Sequence, residues 1–393
     1  MSILRLMYVQ RQIKEELIIL TKEYPVVTLL GPRQAGKTTL ARMTLPDYAY
    51  SNLEEPDVRH LAEEDPRAYL AQFSSNVIID EIQRVPQLLS YIQGIVDAQG
   101  TAGRFVLTGS HQLQLREAIS QSLAGRTAIL KLLPFSIGEL HAGGIDFSKF
   151  EEYCFRGFLP RIYDRNLRPN TAYSNYYQTY VERDIRQLIH LKDAALFEKM
   201  VKLLAGRAGR ILDFSSLAND VGVDAKTVKH WISILDASFL IFKTPAYFEN
   251  FGKRVIKSPR YYFTDVGLLC FLLGIRSSDQ VLRDPLVGSI FENLVVIECL
   301  KERYNRGQIP DLYYFRDSNG NEVDLIIREG RELTAVEIKA SSTFSFDQLK
   351  GLKRFRELSL GVRRSFLVYN GETRQLSDQT QTLHFKQISQ MFD

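Results

Sequence analysis

Cysteine is scarce in this 393-residue chain: Cys154, Cys270 and Cys299 are odd in number and form no CxxC pair. That excludes a disulfide framework and a thiolate zinc site, and leaves buried free thiols as the expectation. Long apolar runs are also missing, none approaching the ~18 residues needed to span a bilayer. The opening MSILRLMYVQRQIKEELIIL is charged throughout and has neither the apolar core nor the small-residue cleavage site of a signal peptide. No membrane association and a cytoplasmic location are therefore expected. Internal repeats and low-complexity tracts are absent. What remains is 45% hydrophobic and 24% charged, the balance of a globular protein of two or three domains.

The first third alternates strand and helix. Residues 11–24 read as an amphipathic helix, and Pro25–Leu30 is a short apolar run ending at Gly31, as a buried parallel strand would. Further strands are expected at Tyr48–Tyr50, Ser75–Ile79, Arg104–Thr108 and Thr127–Leu132, separated by helical stretches such as Pro86–Gln99 and Leu113–Leu123. This pattern predicts a doubly wound α/β domain. A helical segment follows from about Ser136 to Ile189, with an aromatic-rich run at Tyr173–Tyr180.

Gly31-Pro32-Arg33-Gln34-Ala35-Gly36-Lys37-Thr38, followed by Thr39, fits GxxxxGK[ST] at every specified position. Chance supplies such a match roughly once in seventy chains of this length, and a strand before it with a helix after it lowers that further. Glycines let backbone N–H groups turn inward around phosphates, and the helix N-terminus adds its positive end. Lys37 is expected on the β- and γ-phosphates of ATP, and the Thr38 hydroxyl on Mg²⁺. Some 40 residues on, Val77-Ile78-Ile79 delivers Asp80 and Glu81 at a strand end. Asp80 would hold Mg²⁺, and Glu81 would orient and polarise the attacking water, the step that makes a nucleotide binder a hydrolase.

GPRQAGKTTL, Asn52-Leu53-Glu54, IIDEIQRVP, LTGS, LAGR, Leu133-Pro134-Phe135-Ser136, Arg156-Gly157-Phe158-Leu159-Pro160 and YVERDIR lie between Gly31 and Arg186. Together they resemble the bacterial and archaeal AAA-type ATPases that carry a C-terminal domain known as DUF4143. Several members have FP or YP where this chain has FLP, a departure away from the phosphate site. The resemblance implies a P-loop NTPase (AAA+-like) fold with two further catalytic features. A polar side chain at the end of the fourth strand, Thr108 or Ser110, would sense the γ-phosphate or lytic water. Arg126, between the next helix and the fifth strand, would be either an arginine finger reaching a neighbouring subunit or a salt-bridged surface residue.

Later segments carry different chemistry. Phe197–Arg207, Phe214–Val221 and Asp224–Ala237 have the lengths of a three-helix helix-turn-helix, with Gly222 at the turn and a β-element at Ser238–Lys243, so the unit resembles a winged helix. Lys226, Thr227, Lys229 and His230 would open its recognition helix and contact DNA. Between Leu191 and Arg260, twelve basic residues face seven acidic ones, an excess larger than the +4 of the whole chain and suited to a polyanion. In the last third, Asp324 on one strand, Glu337 and Lys339 on the next and Glu292 on the helix Ser289–Leu300 match the D-x(n)-ExK arrangement of restriction-type nucleases. There, carboxylates hold Mg²⁺ and Lys polarises water.

The expected organisation is a P-loop ATPase core over 1–135, its helical extension over 136–193, a winged-helix module over 194–257 and a restriction-endonuclease-like α/β domain over 258–393. The expected function is an ATP-hydrolysing enzyme acting on DNA, self-associated as a ring or other oligomer. The alternatives are an ATP-dependent DNA nuclease and a nucleotide-switched ATPase that binds a protein partner.

Overall fold

The computed structural model describes residues 9–110, 118–119, 121–180, 194–248, 258–377 and 379–393. Five strands, β1 (Val26–Leu30), β2 (Ala49–Asn52), β3 (Val77–Asp80), β4 (Phe105–Gly109) and β5 (Thr127–Lys131), form one sheet in the order β2-β3-β4-β1-β5. All its pairings are parallel. Strands β1, β3 and β4 are buried at every residue, as a sheet covered on both faces requires. Alternation divides β1 between two cores. Val27 and Leu29 pack with Leu17, Leu40 and Ala41, while Val26 and Leu30 pack with Leu88, Ile92 and Leu107. Each expected strand is present, displaced by at most two residues at an end. Insertion of β4 between β1 and β3 places the ends of the phosphate strand and the carboxylate strand on either side of Thr108.

The expected helical segment is four short helices, Ile137–Ala142, Phe150–Arg156, Pro160–Asp164 and Pro169–Tyr176. Glycines and prolines punctuate it, and the first helix opens with a capping box between Ser136 and Glu139. Most of the expected helix Leu113–Leu123, and the part of YVERDIR beyond Tyr180, lie outside the described residues.

Three helices follow, Ala194–Ala205, Phe214–Val221 and Ala225–Ala237, with Asp213 and Asp224 as N-caps and Gly222 closing the second in the left-handed conformation. A two-stranded antiparallel ribbon comes next, β6 (Ile241–Thr244) with β7 (Arg260–Phe263). The expected domain boundary at 257/258 therefore falls between the two strands of one ribbon.

The last third is a six-stranded mixed sheet, order β12-β13-β11-β10-β9-β8, made of β8 (Leu312–Arg316), β9 (Glu322–Glu329), β10 (Glu332–Lys339), β11 (Val362–Tyr369), β12 (Arg374–Ser377) and β13 (Thr380–His384). The 19-residue helix Val287–Asn305 packs on it. One apolar cluster runs unbroken from the first sheet to this one. A buried ion pair pins the junction: Lys301 Nζ donates to Glu298 (2.7 Å) and to the carbonyl of Phe135 (2.7 Å), and the amide of Ile137 donates to Glu298 (2.7 Å). All three cysteines are buried and unbridged. Among the described residues, no helix is long and apolar enough to cross a membrane.

Candidate nucleotide site

The chain leaves β1 at Gly31, where a Cβ would lie 2.0 Å from the carbonyl oxygen of Leu132. Gln34 and Gly36 take positive φ, 61° and 91°, and turn the loop into the helix Lys37–Thr44. The unpaired N–H groups of that helix's first turn are thereby aimed at whatever the loop encloses. Lys37 is 6% exposed, and its Nζ donates to the carbonyls of Gly31 (2.9 Å) and Pro32 (2.8 Å). Burial lowers its pKa to about 8, against the opposing pull of Glu81 and Asp80 and with a small further push from Arg33.

Asp80 ends β3 as a buried hub. Its Oδ2 accepts from the Thr38 hydroxyl (2.8 Å) and the Tyr50 hydroxyl (3.0 Å), and its Oδ1 from Thr108. A hydroxyl and a carboxylate already in contact beside a phosphate-sized loop fit a hard divalent cation, so Thr38 and Asp80 suit Mg²⁺. Glu81 sits in the left-handed region at φ 58°. Its backbone N–H meets Thr108 Oγ1 at 3.3 Å, and its carboxylate meets Ser110 Oγ at 3.3 Å and the Gln83 amide. Thr108 thus contacts Asp80 and the Glu81 amide, and Ser110 the Glu81 carboxylate, so both stand beside the carboxylate pair.

A cavity of about 460 Å³ opens over Gln34, Gly36, Lys37, Thr38, Thr39 and Glu81. Its wall also carries Arg84, Glu54 and Tyr180, to which the sequence alone assigns no role, beside Arg33 of the loop. Arg84 Nη2 binds Glu54 Oε1 at 2.7 Å, and Arg33 lies 3.9 Å from the same oxygen. Tyr180 closes one side. A second cavity of about 510 Å³ shares Gln34, Gly36 and Thr39 and is walled by Val9, Phe135 and Pro160, so the FLP departure, expected away from the phosphate site, lies beside the loop. Arg11 was missed as well, although it braces the loop from behind. It donates to the carbonyls of Ala35 (2.7 Å) and Leu133 (2.6 Å) and to Glu139 (2.9 Å). Arg11 belongs to no motif and Arg84 lies within IIDEIQRVP without a role of its own; only their closeness to Ala35 and to the cavity marks them.

Arg126 lies at the surface and grips Asp97 of its own chain with two nitrogens, Nη2 at 2.9 Å from Oδ2.

Lys226, Lys229 and His230 are exposed on the opening turns of Ala225–Ala237. The Thr227 hydroxyl, expected on DNA, is instead committed to the capping Asp224 at 2.7 Å. Of the basic residues of this region, Arg207 pairs with Asp220 and Lys202 with Glu198, both already counted among its acidic residues, while Arg260 is buried against Glu292 and Glu322 beyond it. Lys192, Lys253, Arg254 and Lys257 lie outside the described residues.

Glu292, Asp324, Glu337 and Lys339 do converge, because β9 and β10 form the expected hairpin and the long helix crosses it. In this structure cationic side chains of the chain itself stand among the three carboxylates. Lys339 binds Glu337 (2.6 Å) and Asp324 (3.5 Å), and the guanidinium of Arg260 sits between Glu292 and Asp324. Among the described residues, no group of three or more ligating side chains is arranged to hold a metal ion. Burial, and then the charge of Asp324, push the pKa of both Glu292 and Glu337 up. Glu337 Oε2 is buried with no hydrogen-bond partner among the described residues.

Family models match three stretches: an AAA domain over 23–141, a domain of unknown function, DUF8612, over 147–279, and a domain of unknown function, DUF4143, over 287–388. An uncharacterized protein of Mycobacterium tuberculosis is 31% identical over 356 residues, covering 89% of this chain and 77% of its own. One from Haemophilus influenzae is 26% identical, covering 66% and 64%. Among solved structures, the Walker-type ATPase of Pyrococcus abyssi aligns at 13% identity and TM-score 0.43, over 66% of this chain and 94% of that one. RuvB of Thermotoga maritima aligns at 19% and TM-score 0.29, over 59% and 89%. With a parallel sheet, a phosphate loop and a strand-end carboxylate pair in place, the chain belongs to the family of AAA-type P-loop ATPases that carry a C-terminal DUF4143 domain.

Proposed function

We propose that the chain binds ATP with Mg²⁺ in the cavity over Gly31–Thr39, hydrolyses it, and uses the cycle to act on DNA without cutting it. One observation carries the nucleotide part: Lys37, Thr38, Asp80 and Glu81 line or adjoin one cavity at the parallel strand ends, where ligands of open α/β sheets bind. The triphosphate would draw Lys37 off the carbonyls of Gly31 and Pro32, and the nucleoside would extend toward Val9 and Phe135. Mg²⁺ held by Thr38 and Asp80 would supply charge neutralisation between the β- and γ-phosphates. Glu81, steadied by Ser110 and Gln83, is placed to orient the attacking water and take its proton. Arg33 and Arg84 offer cationic charge to the same cavity from within the chain, so turnover would not require a neighbouring copy.

The DNA part is supported by three helices and a ribbon that have the order of a winged helix, with Lys226, Lys229 and His230 exposed at the start of the third helix. Mobility shifts on single-strand, duplex, forked and four-way DNA, with and without ATP, test it. The double variant Lys226→Ala/Lys229→Ala should bind more weakly. Each lost phosphate contact should flatten the log–log salt slope by about 0.9 on duplex; an unchanged slope would remove this helix from the interface. A protein partner is the second reading, favoured by the internal pairing of Lys202, Arg207 and Arg260. It predicts no nucleotide-sensitive DNA shift at all.

A further inference from the structure

Where the carboxylates of the C-terminal sheet converge, a cation is already in place. Arg260 comes from β7 of the ribbon and is 2% exposed. Its Nη1 lies 3.2 Å from Glu292 Oε1 and 3.8 Å from Asp324 Oδ1, and its Nη2 donates to Glu322. The guanidinium lies over the ring of Tyr314, 4.5 Å from the centroid. Across the site, Lys339 bridges Asp324 and Glu337. Two of these oxygens also accept from neutral donors. Asp324 Oδ2 takes the amide of Ile338 (2.9 Å), and Glu292 Oε1 takes the Tyr262 hydroxyl (2.7 Å).

A hard divalent cation needs several of these oxygens at about 2.0–2.6 Å. At that distance it would lie within a few ångströms of the buried Arg260 guanidinium, and in a site of low dielectric such repulsion is large. Arg260 cannot swing aside into solvent. Its backbone is a ladder residue of β7, paired with Thr244 of β6, and Tyr314 covers its side chain. The same contacts tie three parts of the chain together: the ribbon through Arg260 and Tyr262, the long helix through Glu292, and the six-stranded sheet through Glu322, Asp324 and Lys339.

We infer that Arg260 takes the place of the divalent cation, so that the C-terminal carboxylates form an internal ion-pair lock between ribbon and sheet and do not cut phosphodiesters. This deepens the reading of the protein as DNA-directed, and it rests on that reading only in naming the bond that would otherwise be cut.

The test uses the full chain carrying Asp80→Asn, which silences the carboxylate of the P-loop, and follows Mn²⁺ binding without nucleotide by electron paramagnetic resonance. That parent should show no Mn²⁺ site that a further Asp324→Asn removes, and no Asp324-dependent nicking of supercoiled plasmid in Mn²⁺. Adding Arg260→Gln should create a site that Asp324→Asn abolishes, with Mn²⁺ bound at least about tenfold tighter than by the parent. An Asp324-dependent Mn²⁺ site or nicking activity in the parent overturns the inference, and these arms hold even if Arg260→Gln fails to fold. A folded Arg260→Gln chain that gains no site overturns it as well. Failure of the DNA reading would appear elsewhere, as absent mobility shifts with the manganese results unchanged.

Discussion

Raising the pH from 7 to 9 should weaken ATP binding through Lys37 alone. In the empty site burial holds this lysine at about 8, against an ordinary 10.5. A triphosphate favours the charged form, so binding returns the pKa at least to its ordinary range. The sign follows: above the empty-site value the free protein has lost a proton that the complex needs, so affinity falls as pH rises. Between pH 7 and 9 the loss should be about tenfold, or about 1.4 kcal/mol. At pH 8 each ATP bound should take up about half a proton. Isothermal titration in buffers of different ionisation heat reads both quantities. Flat affinity from pH 7 to 9 with no proton uptake at pH 8 would mean that Lys37 does not meet the phosphates.

Two further outcomes follow from the surroundings of the loop. Arg11→Ala removes a buried cation from Glu139 and frees the carbonyl of Ala35; the uncompensated buried carboxylate should cost about 3–5 kcal/mol in urea unfolding, and a loss under 1 kcal/mol would show that the brace is idle. With Arg126 held by Asp97 and guanidinium groups already lining the cavity, ATPase activity per chain should not depend on protein concentration, and Arg126→Ala should keep it; a steep concentration dependence, or rescue on mixing Arg126→Ala with Lys37→Ala chains, would instead establish a shared site.

The first domain was legible in the sequence because its signals are local. A buried strand, a glycine loop and a strand-end carboxylate pair each lie within a few residues, and Gly31, Lys37, Thr38, Asp80 and Glu81 were named from spacing alone. Partners supplied from afar left no such mark. Arg11 reaches Ala35 from 24 residues earlier in the chain, and Arg84 finds Glu54 only because β2 and β3 are neighbours. The C-terminal carboxylates show the same limit from the opposite side. Asp324, Glu337 and Lys339 share a hairpin that periodicity reveals. Arg260, which decides what they can bind, lies some 60 residues away on a strand that reads only as a short apolar run. A motif records its donors and says nothing of a cation delivered by tertiary folding.

The central claim is that Glu81 hydrolyses ATP held by the Gly31–Thr39 loop, and the most direct measurement is ATP binding and turnover on the same Glu81→Gln protein. The amide keeps the shape and the contacts to Ser110 and Gln83 but cannot take a proton from water. Binding should survive nearly unchanged, while turnover falls by about a hundredfold or more. Normal turnover in a protein that binds ATP soundly would contradict the account.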